Sequence, residues 1–426
     1  MPGRDGSRAS RLLAWIDDRL PISSFWRRHF SAYYVPKNLN FWYFFGVLAL
    51  LVLAIEVLSG IFLAMHYKPV ATLNPSGVPF AFASIDRIML EVPWGWLIRN
   101  VHAVGASALF LVLYLHIFAS ILYGSYRKPR ELVWIIGMAI FLITMAEAFF
   151  GRLLPWGQAA YWGTTVIFNL LAGIPLIGAD LALWLRGGLA VGDATLGRFY
   201  ILHLLVVPLA LLFLAMTHVA ALRQVGLNNP DGVEIGSRLD DQGVPLDGLP
   251  YHPYFTVKDL LAVVLFLLLF VGVVFFVPEG GGYLLEYGNL SPADPLTTSA
   301  HVRPPWYFAP FFCILRSVVW NFFWIDAHLW GGLAMLAAIL VPASLPWLDH
   351  SPVRSVRYRG PITKILLGLL VFVFVLLGIV GAMPNSPMLD LLARICTFYY
   401  FAFFLSMPWW SRLDRYRLPP ERLVMK

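Results

Sequence analysis

Eight long apolar stretches constrain the fold of this sequence most, because each is close to the length that a helix needs to cross a bilayer. The predicted spans cover residues 41–65, 96–122, 132–150, 199–222, 258–277, 325–346, 363–382 and 392–409. Hydrophobic residues make up 59% of the 426 residues and charged residues only 13%, far from the composition of a soluble domain. We therefore predict an all-α polytopic membrane protein with eight transmembrane helices.

The basic residues predict how the chain is oriented in the membrane. If the N-terminus is cytoplasmic, 22 of the 31 Lys and Arg residues fall in segments on the cytoplasmic side. Because cytoplasmic loops carry an excess of basic residues, we expect a multi-pass protein of a bacterial inner membrane with both termini in the cytoplasm. The net charge of +7 does not indicate nucleic acid as a partner, since the basic residues flank apolar spans.

The polar segments divide the chain into two halves. Residues 1–40 form a basic segment that is expected to lie on the cytoplasmic surface of the membrane. A polar cytoplasmic linker, 223–257, separates a four-span half at 41–222 from a four-span C-terminal half at 258–426.

Two long segments lie on the outer side, at 151–198 and 278–324. Long ordered connections often carry function. We expect these two either to wall a lipophilic pocket or simply to cap the helix bundle.

Histidines recur at matched spacing inside the apolar runs. His102 and His116 are fourteen residues apart, which on a helix means an angular offset of about 40° and a rise of roughly 21 Å. His203 and His218 are fifteen residues apart, with an offset of about 60° and a similar rise. If the two helices lie side by side, His102 with His203 forms an outer pair and His116 with His218 forms an inner pair.

The histidine pairs suggest that the chain binds haem iron. A single histidine in an apolar helix is often structural, but four in two matched pairs at membrane-crossing spacing favour a shared function. Neutral imidazole binds iron well, so we predict a four-helix bundle that encloses two non-covalent, bis-histidine haems. The sequence contains no C-x-x-C-H motif, so we expect no covalently attached haem.

Glycines repeat at the same interval in two other spans. Gly46 and Gly60 are fourteen residues apart, as are Gly137 and Gly151. A flat macrocycle between helices needs backbone that approaches closely without a Cβ. The same residues would also suit ordinary helix packing through small side chains.

Several stretches around these residues resemble cytochrome b of the cytochrome bc complexes, the quinol–cytochrome c reductases. The matching stretches are WLIRNVHAVGAS, LHIFASILYGSY, GRLLPWGQAAYWGTTVIFNLLAGIPLIG, YHPYFTVKDLL, PADPL and WYFAPFFCILRS. The resemblance implies that the outer pair ligates a low-potential haem b and the inner pair a high-potential haem b. It also implies that Arg99 pairs with a propionate of the outer haem and that the four glycines pack against the haems.

The family's reaction is bifurcated quinol oxidation. By resemblance, quinol would be oxidised at an outer site, with one electron passing to a Rieske iron–sulfur protein and then to a c-type cytochrome. The other electron would cross both haems to a quinone at an inner site, coupled to proton translocation. The resemblance also implies a homodimeric complex embedded in membrane lipid.

The sequence departs from the family at the outer site. The family's signature is Pro-Glu-Trp-Tyr, whose Glu is thought to accept a proton from quinol, whereas this chain has Pro304, Pro305, Trp306 and Tyr307. Since proline cannot accept a proton, another group would have to take that role.

Glu147 is the replacement that the sequence suggests, because it lies in the third predicted span, where the family usually has a small neutral residue. We hypothesise that Glu147 accepts the proton and is held near Arg152, which replaces a Tyr. The alternative is a purely structural Glu147–Arg152 ion pair. Glu279 is a weaker candidate, since it would only begin a loop.

The inner site also departs from the family. Arg223 stands where the family often has a histidine, five residues after His218. Lys258 and Asp259 match the family's inner-site pair, where a carboxylate near quinone can relay protons. Without the resemblance, both residues would be read as interfacial anchors.

Other ionisable residues receive no catalytic role. Glu56 lies in the middle of the first span, where an unpaired charge is costly, and the sequence gives it no firm function. His66, His252, His301 and His350 are expected to be structural or interfacial.

Two alternatives stay open from the residues alone. One is a dihaem membrane anchor of another quinone-linked oxidoreductase. The other is a haem-free, proton-coupled transporter.

Overall fold

The computed structural model describes residues 8–26, 33–298, 303–321, 323 and 326–423. Within that part of the chain, eight helices are long and apolar enough to cross a membrane, which confirms the predicted fold class. These spans, numbered first to eighth, are Phe41–Ala64, Gly95–Tyr123, Glu131–Leu153, Asp193–Val225, Tyr251–Phe276, Ala327–Leu348, Pro361–Gly381 and Pro387–Leu405. His301 lies outside the described residues.

Three spans begin at least five residues earlier than predicted. The fourth begins at Asp193, the fifth at Tyr251 and the eighth at Pro387. Polar and aromatic residues at these ends break the apolar pattern but are good helix starters. At the eighth span, for example, the Ser386 hydroxyl caps the backbone N–H of Leu389 at 3.4 Å, and proline occupies the first turn.

Some spans combine several helical segments. The segments that build the eight spans are Phe41–Phe44, Phe45–Ala64, Gly95–Tyr123, Glu131–Leu153, Asp193–Ile201, Leu202–Val206, Val207–Val225, Tyr251–Phe255, Thr256–Phe276, Ala327–Leu340, Val341–Ser344, Leu345–Leu348, Pro361–Gly381 and Pro387–Leu405. Shorter helices and helical turns outside the spans are Arg8–Asp17, Ile22–Trp26, Phe80–Leu90, Gln158–Ala172, Gly178–Arg186, Ile235–Ser237, Gly280–Gly282, Tyr287–Asn289, Ala309–Ser317, Val356–Tyr358 and Met407–Leu413.

A π-helical turn at Leu202–Val206 interrupts the fourth span and contains His203. Pro208 follows two residues later, and proline has no N–H to donate to the carbonyl four residues earlier. A π turn closes over one more residue than an α turn. The extra residue in this turn therefore lets the fifteen residues from His203 to His218 cover nearly the same rise and rotation as the fourteen residues from His102 to His116.

A small antiparallel ribbon is the one departure from an all-α fold in the described chain. Strand β1, Tyr34–Pro36, pairs with strand β2, Gly248–Pro250, with Val35 opposite Leu249. The Lys37 ammonium lies 2.8 Å from an Asp247 carboxylate oxygen beside the ribbon. The ribbon thus ties the start of the first span to the predicted linker.

The spans pack in two groups. In the first group, the first span runs along the second, and the third runs along the fourth. The fifth span joins this group, because it packs on the second span. In the second half, the short helix Ala309–Ser317 lies among the sixth, seventh and eighth spans. Large apolar side chains such as Leu268 and Leu269 are 66% and 74% exposed, as expected of a surface in contact with lipid.

The two long outer segments bind each other. The backbone N–H of Gln158 donates to the carbonyl of Ser291 at 3.0 Å, and that of Ala160 donates to the Asn289 side chain at 2.8 Å. The first segment contains the helix Gln158–Ala172, which packs on the sixth span. The two segments therefore form one layer over the end of the bundle that carries His102 and His203, which is the predicted outer end.

Candidate functional site

The four histidines of the apolar runs form two facing pairs. The ring centres of His102 and His203 are 6.0 Å apart with planes at 83°, and those of His116 and His218 are 6.4 Å apart with planes at 70°. A metal–imidazole nitrogen bond is roughly 2 Å long, so two imidazoles on opposite sides of one ion have ring centres about 6 Å apart. Each pair therefore has a spacing at which both imidazoles could bind one metal ion.

The donor set also fits a metal that arrives in a macrocycle. In the described part of the chain, no group of three or more His, Cys, Asp or Glu residues could hold a metal ion. An ion at either pair would thus need further ligands, and the four nitrogens of a porphyrin are such ligands.

Each imidazole packs against one of the four predicted glycines. The contacts are Gly46 with His116, Gly60 with His102, Gly137 with His218 and Gly151 with His203. A Cβ at the first three glycines would lie 3.3, 3.2 and 3.1 Å from Cε1 of its histidine, and one at Gly151 would overlap the His203 ring. The glycines thus leave room for the imidazoles, at the positions that the fourteen-residue interval indicated.

The outer pair has carboxylates on its Nδ1 atoms. Glu56 Oε2 lies 3.3 Å from Nδ1 of His102, and the Ser59 hydroxyl lies 3.0 Å from the same atom. Glu147 Oε1 lies 3.0 Å from Nδ1 of His203. Because Nδ1 is engaged, Nε2 is the nitrogen left to bind a metal at each outer histidine.

The inner pair has no such carboxylate among the described residues. Nδ1 of His218 is buried without a hydrogen-bond partner among the described residues. The two pairs therefore share spacing and glycines but differ in the charge that surrounds them.

The expected Glu147–Arg152 ion pair is not formed. Arg152 instead binds Glu286 of the other outer segment, with Nη2 to Oε2 at 2.6 Å. It also donates to the backbone carbonyl of Arg303 at 3.1 Å. The side chain of Arg152 is drawn toward the outer loops, whereas Glu147 faces His203 inside the bundle. Sequence reasoning missed Glu286, which has no distinctive local pattern.

Arg99 lies three residues before His102 on the second span, so the two side chains share one face of that helix. Its side chain has no acidic partner within 4.0 Å in the described part of the chain. It is therefore available to an anionic group near the outer pair.

The residues of the altered signature pack against the second span. Pro305 and Tyr307 are buried, and the Tyr307 ring stacks on Phe110 with ring centres 4.1 Å apart. The Trp306 indole N–H donates to the Ser107 hydroxyl at 3.1 Å. Burial raises the pKa of the Tyr307 phenol, so the phenol stays protonated. Glu279, the weaker candidate, is exposed at the start of its loop.

A cavity of about 310 Å³ opens beside the inner pair. Its lining includes His116, His218, Arg223 and Asp259. The Tyr251 hydroxyl donates to the Asp259 carboxylate at 2.5 Å, and the Arg223 guanidinium lies 4.2 Å from the centre of the Tyr33 ring. The cavity thus brings two predicted inner-site residues together with the inner histidines.

Lys258 is not part of this cavity lining. It is exposed, and its ammonium lies 5.0 Å from the centre of the Phe255 ring. Lys258 and Asp259 do not face the same space, because the helix turns neighbouring side chains in different directions. A role for Lys258 at an inner site stays a prediction.

Membrane-length helices with two stacked histidine pairs define a membrane protein with one paired-histidine site toward each end. Residues 30–226 match the family described as Cytochrome b/b6/petB, and residues 292–401 match Cytochrome b(C-terminal)/b6/petD. Cytochrome b of Allochromatium vinosum is 52% identical over 417 residues, which cover 97% of this chain and 98% of that protein. Cytochrome b of Rickettsia bellii is 42% identical over 98% of each chain.

A solved structure titled Hyperthermophilic respiratory Complex III is also similar. It has a TM-score of 0.82 and 37% identity, over 93% of this chain and 98% of that chain. The chain therefore belongs to the cytochrome b family of the cytochrome bc complexes, which are electron-transport oxidoreductases. This membership decides against the transporter and the unrelated dihaem anchor that the residues alone left open.

Proposed function

We propose that the chain is the dihaem subunit of a quinol–cytochrome c reductase, which oxidises quinol at an outer site and reduces quinone at an inner one. The observation that carries this proposal is the pair of facing histidine sites, with ring centres 6.0 and 6.4 Å apart and one glycine against each ring. When bound, two haems would carry one electron along the bundle between the quinone sites.

The four histidines would hold these haems without covalent attachment. His102 and His203 would bind the outer haem through Nε2, since Nδ1 of each is engaged by the protein. His116 and His218 would bind the inner haem. The guanidinium of Arg99 would bind a propionate of the outer haem, because it lies near His102 and has no acidic protein partner within 4.0 Å among the described residues.

Quinol would bind beneath the outer layer, at Pro305, Trp306 and Tyr307. The stacked Tyr307 and the hydrogen-bonded Trp306 give this site rigid aromatic walls. Pro305 cannot accept a proton, so we assign proton acceptance to Glu147. One of its carboxylate oxygens faces His203, and the other is buried without a hydrogen-bond partner among the described residues.

Quinone would bind in the inner cavity. The part of the cavity lined by His116 and His218 would be filled by the inner haem, so quinone would take the part lined by Arg223, Tyr251 and Asp259. Asp259 would relay protons to quinone through its bond with Tyr251, and Arg223 would stabilise negative charge on the quinone oxygens. Lys258, exposed outside the lining, would help to attract anionic groups to the entrance.

The partners follow from the family. A Bradyrhizobium diazoefficiens relative is named Cytochrome b/c1, is 41% identical, and is covered by this chain over 56% of its length. We propose that this chain works with a c-type cytochrome and a Rieske iron–sulfur protein, in a homodimeric complex embedded in membrane lipid. Both termini would be cytoplasmic and the membrane would be the bacterial inner membrane.

The test is the absorbance spectrum of the purified complex. Dithionite reduction should reveal b-type haem at two haems per chain, with quinol-dependent reduction of cytochrome c. A colourless chain would reject the proposal. So would retention of both haems after all four histidines are replaced by alanine.

The proton role of Glu147 has its own test. In Glu147→Gln, quinol oxidation should slow by about a hundredfold, which is the scale of general acid–base catalysis. Glu56→Gln is the matched control, because it removes the same charge beside the other outer histidine. Turnover of Glu147→Gln close to that of the parent, or equal losses in both variants, would reject the proton role.

A further inference from the structure

We propose that Glu56 and Glu147 are positioning residues, each with its carboxylate against Nδ1 of one outer histidine, and that these two carboxylates lower the midpoint potential of the outer haem. This inference rests on the proposed function, because it assumes that the histidine pairs bind haem. It gives Glu56 a role that the sequence did not suggest.

The contact at His102 is built by two helices. Glu56 Oε2 and Ser59 Oγ lie 3.3 and 3.0 Å from its Nδ1. The Ser59 hydroxyl donates its own proton to the carbonyl of Ile55 at 2.7 Å, so its oxygen is free to accept from the imidazole. Nδ1 of His102 is thereby fixed as a donor, which orients the ring for ligation through Nε2.

The neighbouring backbone makes room for Glu56. Gly105 lies on the same helix as His102, and a Cβ there would overlap Oε1 of Glu56. That oxygen is buried and has no hydrogen-bond partner among the described residues. The carboxylate therefore sits in a fitted space beside the histidine rather than reaching a solvated surface.

The contact at His203 has the same form. Glu147 Oε1 lies 3.0 Å from Nδ1, and the backbone carbonyl of Glu147 lies 3.1 Å from the same atom. The second carboxylate oxygen is buried without a hydrogen bond among the described residues. Both outer histidines thus donate to a neutral oxygen and face a carboxylate as well.

The two carboxylates occupy equivalent positions on their helices. Glu56 lies four residues before Gly60, and Glu147 lies four residues before Gly151. Positions four apart share one helix face, so each carboxylate is one turn away from the glycine that faces the same histidine. The repeat on two separate spans argues against a chance contact of one side chain.

Two carboxylates inside a membrane-spanning bundle are costly to bury unless something compensates. The Nδ1–H of each imidazole, 3.3 and 3.0 Å from the nearest carboxylate oxygen, places a positive dipole beside the carboxylate and offsets part of that cost. An acceptor on Nδ1 raises the basicity of a metal-bound histidine, and negative charge nearby disfavours the addition of an electron. Both effects favour the oxidised metal and lower the midpoint potential of the outer haem.

The test is a potentiometric titration of the intact complex, with the EPR spectrum of the oxidised haems as a second readout. Each single variant, Glu56→Gln and Glu147→Gln, should shift the reduction equilibrium of the outer haem about tenfold, or about 59 mV upward for one electron. The double variant should shift it further. The EPR signal of the outer haem should move while that of the inner haem stays in place.

Three controls test whether a shift in the outer potential comes from the two carboxylates. The inner haem is an internal standard in every sample. Glu91→Gln removes an outer-side carboxylate that is 72% exposed, and should leave both potentials unchanged. Glu56→Asp and Glu147→Asp keep the charge and should shift the outer haem less than the Gln variants; they also provide the measurement if a Gln variant fails to keep its outer haem.

Unchanged outer potentials in both Gln variants, or equal shifts of both haems, would overturn the inference. Such a result in a protein that still binds two b haems would leave the proposed function intact. Absence of haem from the parent complex would instead reject the proposed function itself.

Discussion

The outer and inner ends of this molecule use the same scaffold but place their acidic residues differently. At the outer end, Glu56 and Glu147 lie inside the bundle against the histidines. At the inner end, the histidines have no carboxylate partner in the described chain, and acidic residues lie in the connecting segments. There the acidic residues form ion pairs with Lys and Arg side chains. These ion pairs include Lys37–Asp247, Arg130–Glu234, Arg354–Glu234, Arg357–Asp231, Arg359–Asp349 and Arg422–Asp247.

The difference in charge between the two histidine pairs comes from the residue four positions before each glycine. Four residues before Gly60 and Gly151 stand glutamates, whereas the equivalent positions before Gly46 and Gly137 are Trp42 and Val133. Trp42 and Val133 both line the inner cavity. Two sites of similar geometry can therefore differ electrostatically through the residue one turn before each glycine, without any change in the histidines.

Removing single histidines should have the largest effect on this comparison. We expect His102→Ala to abolish binding of the outer haem and His116→Ala that of the inner haem, because each would leave one axial ligand. Haem content per chain should fall from two to one in each variant, with the remaining haem keeping its own potential. Loss of both haems in either variant would show that the two sites are not independent.

Asp349→Asn should destabilise the inner end strongly. Asp349 is fully buried and binds Arg359 at 2.5 Å, and removal of one partner of such a pair costs roughly 3–5 kcal/mol. Thermal unfolding of the complex in detergent should show a clear drop for this variant. Glu286→Gln, which breaks the more exposed Arg152 pair at the outer end, should reduce thermal stability less. A larger loss for Glu286→Gln than for Asp349→Asn would contradict the view that buried ion pairs stabilise the inner end more.

The same variant predicts a pH dependence. Burial by itself raises the pKa of Asp349, but Arg359 and Arg127 outweigh burial and hold that pKa below its usual value. The stabilisation is therefore present above a pH of about 3.9, the unfolded value, and is lost as the pH falls through the lower folded pKa. The difference in unfolding stability between the parent and Asp349→Asn should become smaller only in that acidic range. A difference that already becomes smaller at neutral pH would contradict this prediction.

Asp259→Asn should affect the inner quinone site alone. Loss of the proton relay should slow quinone-dependent oxidation of the inner haem by about a hundredfold, while quinol oxidation at the outer site should proceed through its first turnover. Stopped-flow measurement of haem reduction and reoxidation separates the two steps. Asp241→Asn, an exposed change in the linker, is the matched control; slowing in both variants would point to a general loss of inner-end structure.

Alanine at the glycines should have the smallest effect and should differ between the ends. A Cβ at Gly151 would overlap the His203 ring, whereas one at Gly46 would lie 3.3 Å from Cε1 of His116. Overpacking costs about 1–3 kcal/mol, so Gly151→Ala should lower occupancy of the outer haem more than Gly46→Ala lowers that of the inner haem. Equal occupancies would show that the histidine rings move aside freely.

Sequence alone determined the spans, the histidine pairs and the four facing glycines, because apolar length and fourteen-residue spacing are local properties of a helix. Through the family resemblance it also predicted Asp259 and Arg223 at an inner quinone site, and the structure has both residues in the lining of one cavity. It could not place Lys258 outside the cavity lining, because that depends on the direction in which one turn of the fifth span faces.

Only the tertiary structure decided the partners of the charged groups. Arg152 binds Glu286 from a distant segment rather than Glu147 on its own helix. Glu56 meets His102 across two spans, and the turn before Pro208 brings His203 opposite His102. Such contacts join residues far apart in the chain, and no local periodicity specifies which side chains of packed helices will meet.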